Sequence, residues 1–296
     1  MLFNSLAFLL FLPVVFGLYW SFRSAVGQNR VVVVASMFFY GWWDWRFLLL
    51  MVATCVADYW FAQAIERSAY RKRRKHWLLA AIVVNMGLLG VFKYFNFFAD
   101  NLAEIFSWLG IRADIPTLHI ILPIGISFYT FQLTAYVVDV YRGKYAPERN
   151  PLRYGLFVSF FPQMVQGPIS RFDQLGPQLL AARTLCWEDL QLGIQLALWG
   201  YFKKIVIADR AAVLVNNVIM ENCPYGGAVI ALGILFYCIQ LYCDFSGGID
   251  ITRGVARMFG IDMAVNFRRP LFSTSLADYW RRWHITLGAW MRDYVF

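Results

Sequence analysis

The feature that most constrains this chain is a series of long apolar runs, with nearly all charged residues before about residue 150 lying between them. A helix of about 20 apolar residues spans the hydrocarbon core of a bilayer. Of all residues 60% are hydrophobic and only 15% are charged, too few polar side chains to cover the surface of a soluble domain. We therefore predict an all-α fold, a polytopic bundle of transmembrane helices.

Six runs are long enough to be candidate spans: Leu6–Phe22, Val31–Trp43, Phe47–Ile65, Trp77–Phe98, Ile120–Tyr141 and Ala228–Phe245. The apolar stretch Leu190–Met220 is interrupted by charged residues, which favours two pieces. Tyr154–Val165 is too short to cross, contains Pro162 and ends in QGP, which indicates a re-entrant segment. No fixed-period repeat or linker divides the chain, so we predict one membrane domain over residues 1–296.

The connecting segments predict the orientation. Glu66–His76 carries six Lys and Arg residues and Tyr141–Arg153 carries four, whereas Ala99–Leu118 carries a single arginine and three acids. Basic loops stay in the cytoplasm. The two basic segments are therefore predicted to be cytoplasmic, and counting spans backwards places the N-terminus outside.

Composition and motifs also exclude several functions. The net charge of +9 comes from short clusters between apolar runs, which argues against nucleic-acid binding. The five cysteines form no CxxC pair, and no HExxH, P-loop or GxSxG motif occurs. We predict no metal site.

Polar residues enter the apolar segments after residue 150, where they are costly and often functional. Gln166 and Pro168 lie in a Pro- and Gly-rich stretch that suits a cavity lining or an ordinary interfacial loop. Asp244 and Ser246 follow a predicted span, and Gly247-Gly248 predicts a tight turn after them. Beyond that turn, Asp250, Arg253 and Arg257 lie at helical spacing, and Asp250 is spaced to pair with Arg253, a structural role that we favour.

The stretch SLADYWRRWHITLGAWMRDYVF predicts one helix on which Asp278 pairs with Arg282. His284 has no local carboxylate. It is either a neutral general base in a site of low polarity or a satisfied core residue. His76 and His119 are expected to be solvated or interfacial.

The residues alone leave more than one function open. A transporter or channel would also place charges in broken membrane segments, but it predicts an inverted repeat that the chain lacks. A non-catalytic assembly subunit is a further alternative.

The blocks FVSFFPQMVQGPISR, LYCDFSGGIDITRGVARMFGI and NFRRPLFSTSLADYWRRWHITLGAWMRDYVF, with the order of spans, resemble the membrane-bound O-acyltransferase family, in its bacterial alginate O-acetyltransferase branch. The resemblance implies a helical bundle around a tunnel through the bilayer. It also implies acyl transfer from a cytoplasmic thioester to a hydroxyl of an exported polysaccharide.

The resemblance assigns the site residue by residue. His284 matches the first tunnel histidine and is the expected catalytic residue. The expected tunnel or substrate-lining residues are Gln166, Pro168, Asp244, Ser246, Asn266, Trp280, Arg281 and Trp283. Arg268, Arg269 and Arg282 are expected either to hold anionic parts of the donor at the cytoplasmic mouth or to anchor the chain there by the positive-inside rule. The family's second histidine is expected beyond Phe296, so we predict an N-terminal portion of a longer enzyme.

The expected donor is acetyl-CoA or a carrier-bound thioester, with no bound cofactor. Expected partners are the lipid bilayer, an acyl carrier, periplasmic acetyl-transfer proteins and an acceptor such as alginate, cellulose or peptidoglycan. The expected location is the bacterial inner membrane.

Overall fold

A computed structural model describes residues 1–110, 122–218 and 225–296. Within these ranges the chain is helical and contains no strand, so the all-α prediction is confirmed. The helices are α1 (Leu6–Ser21), α2 (Ala25–Gly41), α3 (Trp45–Arg67), α4 (Arg71–Trp108), α5 (Ile126–Arg142), α6 (Pro151–Ser159), α7 (Phe161–Met164), α8 (Phe172–Leu180), α9 (Trp187–Tyr201), α10 (Asp209–Val218), α11 (Gly227–Met258), α12 (Leu276–Arg282) and α13 (Ile285–Tyr294). A π-helical segment (Phe202–Ala208) joins α9 to α10, and a short 3-10 turn (Pro270–Phe272) precedes α12.

The chain forms two compact units, Met1–Trp43 with Ser159–Phe296, and Asp44–Val158. In the first unit, aromatic rings fill the space beside α1 and α2. The ring of Phe161 meets those of Phe11 and Phe39 at centroid distances of 5.4 and 5.7 Å. The hydroxyl of Tyr19 donates to the carbonyl of Phe259, which ties α1 to the end of α11. The one-domain prediction stays a prediction.

Helices α9 and α11 form the closest helix pair of this unit because glycines face each other along it. A methyl group added at Gly254 would lie 2.5 Å from the backbone nitrogen of Ala197, and one at Gly200 would lie 2.6 Å from the carbonyl oxygen of Gly247. Backbones approach this closely only where side chains are absent. The predicted turn at Gly247-Gly248 is therefore wrong: both glycines lie inside continuous α11, where they admit a neighbouring backbone.

The stretch predicted as two pieces is one helical path, since the π-helical segment connects α9 to α10 without a loop. Lys203 and Lys204, which suggested the break, instead lie in that wider turn. The prediction of a short, non-spanning segment near QGP agrees with α6 and α7, which have 9 and 4 residues. That this segment re-enters the membrane stays a prediction.

The second unit contains α3, α4, α5 and most of α6. Asp58 on α3 accepts a hydrogen bond of 2.8 Å from the amide of Asn85 on α4, and both side chains are buried. Of α5, twelve of 17 residues are buried. The amide of Gln132 on α5 donates to the carbonyl of Phe157, 3.1 Å away, which joins α5 to α6.

Among the residues that the structure describes, three helices, α3, α4 and α11, are long and apolar enough to cross a membrane, and α1 is a shorter apolar helix. The runs predicted at α2 and α5 give helices of 17 residues. The basic segment Glu66–His76 is not a loop: α3 continues to Arg67 and α4 begins at Arg71, so the cations lie mainly at the start of α4. The predicted outer segment Ala99–Leu118 lies partly outside the described residues, and His119 lies wholly outside them.

The glycine contact generates a prediction. Gly254→Ala forces α9 and α11 apart and should lower the free energy of unfolding by about 1–3 kcal/mol, as overpacking does. Thermal unfolding of the protein in detergent measures this. Gly17→Ala on α1 is the matched control because no atom lies within 4 Å of the added methyl group. Equal melting temperatures for Gly254→Ala and Gly17→Ala would contradict the close contact.

Candidate active site

His284 lies at a break between two helices rather than inside one. Helix α12 ends at Arg282, Trp283 is extended, and His284 has a φ of +43°, in the left-handed region that residues other than glycine rarely adopt. The predicted single helix is therefore wrong. Two backbone hydrogen bonds hold the break open, from Arg268 N to Arg282 O (2.9 Å) and from Ile285 N to Asn266 O (3.0 Å).

The side chain of Asn266 organises the groups around His284. Its Oδ1 accepts from the backbone nitrogen of Thr286 and from the Thr286 hydroxyl, both at 2.9 Å, and lies 3.2 Å from Nδ1 of His284. Asn266 is 1% exposed. A buried acceptor with three donors fixes the positions of all of them.

These contacts determine the tautomer of His284. A backbone N–H can only donate, so the atom of Asn266 that faces Thr286 must be the oxygen. That same oxygen faces Nδ1 of His284, which must therefore carry a proton. Nε2 of the neutral ring is then the acceptor atom.

Aromatic rings surround the imidazole. Phe245 meets it edge-on with ring centroids 4.9 Å apart, and the Phe267 ring lies at 6.4 Å. His284 does not belong to α3, α4 or α11, the helices long enough to cross a membrane. Burial lowers the pKa of its imidazole from 6.5 to about 4 because a charged ring is poorly solvated here. The imidazole is consequently neutral at physiological pH.

The QGP stretch is attached to the same region. The backbone nitrogen of Ile169, directly after Pro168, donates to the Thr286 hydroxyl at 3.1 Å. The guanidinium of Arg171 pairs with the carboxylate of Asp293 on α13. This pairing holds the pKa of the Asp293 carboxyl below its usual range.

Gln166 packs against α11. Its carbonyl accepts from the Thr252 hydroxyl at 2.5 Å, and its side-chain amide lies directly over Gly248, where a methyl group would collide with it. Gly248 thus leaves room for the Gln166 side chain.

Charged residues on the π-helical segment meet acids of α11. The ammonium of Lys203 lies 2.6 Å from the carboxylate of Asp250 and 3.0 Å from the hydroxyl of Ser246. Lys204 pairs with Asp244, also at 2.6 Å. Asp250 lies 4.0 Å from Arg253, so the predicted pair exists, but Lys203 is its closer partner.

The structure brings some predicted site residues together and separates others. Asn266 and Trp283 lie beside His284, and Arg268 and Arg269 line a cavity with Lys203. Arg282 instead pairs with Asp278 at 2.9 Å, as the sequence predicted. Trp280 is 63% exposed, and Arg281 is exposed on the same short helix.

In the part of the chain that the structure describes, no group of three or more His, Cys, Asp or Glu side chains could hold a metal ion.

Sequence reasoning missed Thr286, Thr252 and the partnership of Lys203 with Asp250. A single threonine gives no signal of its own. For Lys203 a signal existed: adjacent lysines inside an apolar run require acids nearby, and the acids of DFSGGID lie in the next apolar segment.

Comparison with known proteins adds relatives over the whole chain. This chain is 40% identical to the probable alginate O-acetylase AlgI of Pseudomonas aeruginosa, over 100% of this chain and 56% of that protein. It is 34% identical to the peptidoglycan O-acetyltransferase of Helicobacter pylori, over 100% of this chain and 61% of that protein. A teichoic acid D-alanyltransferase of Bacillus subtilis is 31% identical over 58% of this chain and 44% of that protein.

No protein-family model matches the chain. The chain spans a little over half the length of the alginate O-acetylases that it matches. Similarity that covers all of this chain nevertheless confirms the resemblance carried by its motifs. Over its whole length the chain is similar to the alginate O-acetylases, the branch of the membrane-bound O-acyltransferases that its motifs resemble.

Proposed function

We propose that the whole protein is a membrane O-acyltransferase that moves an acyl group, in the first place acetyl, from a thioester to a hydroxyl of an exported polysaccharide. The names of the relatives support the reaction class. The observation in the chain itself that carries the proposal is the contact of Asn266 with His284, which leaves Nε2 of a neutral imidazole as an acceptor.

The reaction needs such an acceptor. The acceptor hydroxyl donates its hydrogen bond to Nε2 of His284, and its oxygen attacks the thioester carbonyl. The C–S bond breaks, the new C–O ester bond forms, and the hydroxyl proton ends on the sulfur of the leaving thiol. The family resemblance assigns the general base to a second histidine, and His284 then orients the acceptor hydroxyl.

The donor and acceptor follow from the relatives and from the predicted topology. Acetyl-CoA or a carrier-bound thioester supplies the acyl group from the cytoplasm, and alginate, peptidoglycan or another exported glycan receives it. Periplasmic acetyl-transfer proteins complete the transfer. We propose an inner-membrane location with the N-terminus outside. Gln166, Pro168, Asp244, Ser246, Trp280, Arg281 and Trp283 are proposed to line the substrate path.

Removal of the imidazole tests the site. His284→Ala in the whole protein should lower acetyl transfer at least about a hundredfold, since losing the group that orients the acceptor hydroxyl costs factors of this size. Membranes containing the protein are incubated with labelled acetyl-CoA and acceptor, and acetyl esters are counted.

His76→Ala is the matched control because His76 is exposed on α4. It should leave transfer unchanged. Transfer by His284→Ala at the rate of the His76→Ala protein would remove His284 from the active site.

Replacement of the neutral partner of His284 tests the tautomer. Asn266→Asp keeps the acceptor oxygen but adds a negative charge, which favours the imidazolium and raises the His284 pKa from about 4 by about 1–3 units. Since the neutral ring is the active form, activity should then fall as pH decreases through this higher pKa. The measurement is the pH profile of acetyl transfer.

Asn217→Asp places the same charge on the exposed face of α10 and serves as the control for net charge. Its profile should match that of the unmodified protein. If acetyl transfer by the Asn266→Asp protein fell over the same acidic pH range as transfer by the unmodified protein, whatever its absolute rate, the proposed hydrogen bond to Nδ1 would be contradicted.

A further inference from the structure

Two segments of the second unit carry nearly all of the excess positive charge of the chain. Residues 66–75 and 141–153 together contain ten lysines and arginines and two glutamates, an excess of eight positive charges. The net charge of the whole chain is +9, so the charges outside these segments almost cancel. An anionic partner is therefore attracted to these two segments before any other part of the chain.

Hydrogen bonds join the two segments into one surface. The guanidinium of Arg74 donates to the carbonyl of Tyr141 at 2.9 Å and lies 5.6 Å from the centre of the Tyr141 ring. Near the end of α3, the hydroxyl of Tyr59 donates to the carbonyl of Arg149 at 2.6 Å, which holds the second segment against that helix. Segments about 70 residues apart in the chain thus form a single surface, called the basic face below.

Most cations of the basic face have no acid beside them. Within the ranges that the structure describes, seven of them are exposed and form no ion pair: Arg67, Arg71, Lys72, Arg73, Lys75, Arg149 and Arg153. Lys144, by contrast, pairs with Asp139 at 3.4 Å. The charge of the seven side chains is consequently available to an anion from outside the chain.

Helix α4 continues the basic face directly into an exposed apolar side. Lys72, Lys75, Leu79 and Val83 follow one another at spacings of three, four and four, so they share one side of the helix. Leu79 is 46% exposed and Val83 is 68% exposed. Trp77, also exposed, lies at the junction between the cations and the apolar residues. Cations, an aromatic ring and exposed hydrocarbon follow in this order where a helix enters a bilayer.

We propose that the basic face binds the headgroups of anionic glycerophospholipids, whose acyl chains lie against the exposed apolar side of α4. A phospholipid presents its phosphate and its hydrocarbon in the order in which Lys72 and Lys75 precede Leu79 and Val83. A soluble anion or an acidic protein would complement the cations alone. Clusters of about four to eight lysines and arginines beside a membrane helix attract anionic headgroups in this way. The inference goes beyond acyl transfer, because no residue of the candidate active site takes part.

Lipid binding to the whole protein in neutral detergent tests the proposal. The probes are dioleoyl phosphatidylglycerol and dioleoyl phosphatidylcholine, which share their acyl chains and phosphate, and of which only the first is anionic overall. Native mass spectrometry gives the dissociation constant of the first bound lipid. Phosphatidylglycerol should bind at least about tenfold more tightly, since each cation near a headgroup contributes a factor of about five. This preference should decrease as the ammonium acetate concentration rises, because exposed charges are screened.

Removal of charge from α4 locates the site. Lys72→Gln, Arg73→Gln and Lys75→Gln combined in one protein should reduce the preference for phosphatidylglycerol at least about fivefold. Binding of phosphatidylcholine should not change, because the apolar side of α4 is intact.

The matched control removes the same charge elsewhere. Arg23→Gln, Arg46→Gln and Arg210→Gln combined replace three exposed arginines outside the basic face and should preserve the preference. A further variant should strengthen binding, which misfolding cannot do. Glu66→Gln removes an exposed acid of the basic face and should tighten phosphatidylglycerol binding by about twofold to fivefold, with no change for phosphatidylcholine.

Three outcomes would overturn the proposal. The first is equal binding of the two lipids to the unmodified protein. The second is an equal loss of preference in the control variant and the α4 variant, which would make the preference an effect of net charge alone. The third is binding of an acidic soluble protein that requires Lys72, Arg73 and Lys75 while phosphatidylglycerol is not preferred, which would assign the basic face to a protein partner.

Discussion

The close contact of α9 with α11 is the constraint on which the rest of the first unit depends. Gly193, Gly200, Gly247 and Gly254 bring the two backbones together, and no larger side chain fits at these positions without displacing a neighbouring backbone. The contact places the π-helical segment that follows α9 against the middle of α11. The lysines of that segment and the acids of α11 meet only because the helices are this close.

The ion pairs follow from that contact. Taking an ammonium or carboxylate out of water costs several kcal/mol unless a partner of opposite charge is present. Lys203 and Lys204 are adjacent in the chain, yet each reaches an acid on α11, Asp250 and Asp244 respectively. A wider π-helical turn at Phe202–Ala208 carries both lysines, in agreement with the frequent occurrence of π-bulges at functional sites. The pair of Lys203 with Asp250 in turn forms part of the lining of a cavity that Arg268 and Arg269 also line.

The sequence predicted what depends on composition and on local spacing. Long apolar runs predicted helices at α1, α3, α4 and α11, and the i, i+4 spacing predicted the pair of Asp278 with Arg282. The sequence-based prediction was wrong where a residue far away in the chain determines the local conformation. Gly247-Gly248 has the composition of a turn, but the backbone of α9 makes it a contact surface. The break at His284 depends on hydrogen bonds that Asn266 accepts and Arg268 donates, and these two residues precede His284 by 18 and 16 positions.

The residue that contacts Nδ1 of His284 is a neutral asparagine and not an acid. The candidate site therefore differs in charge from the cavity beside it. In a Ser-His-Asp triad the carboxylate stabilises the imidazolium that forms during the reaction. A neutral amide oxygen orients the ring equally well but gives the charged form no such support. Burial disfavours the imidazolium further. His284 is thereby kept as a neutral acceptor, while the guanidinium groups of Arg268 and Arg269 line the cavity on the other side of the Phe267 ring.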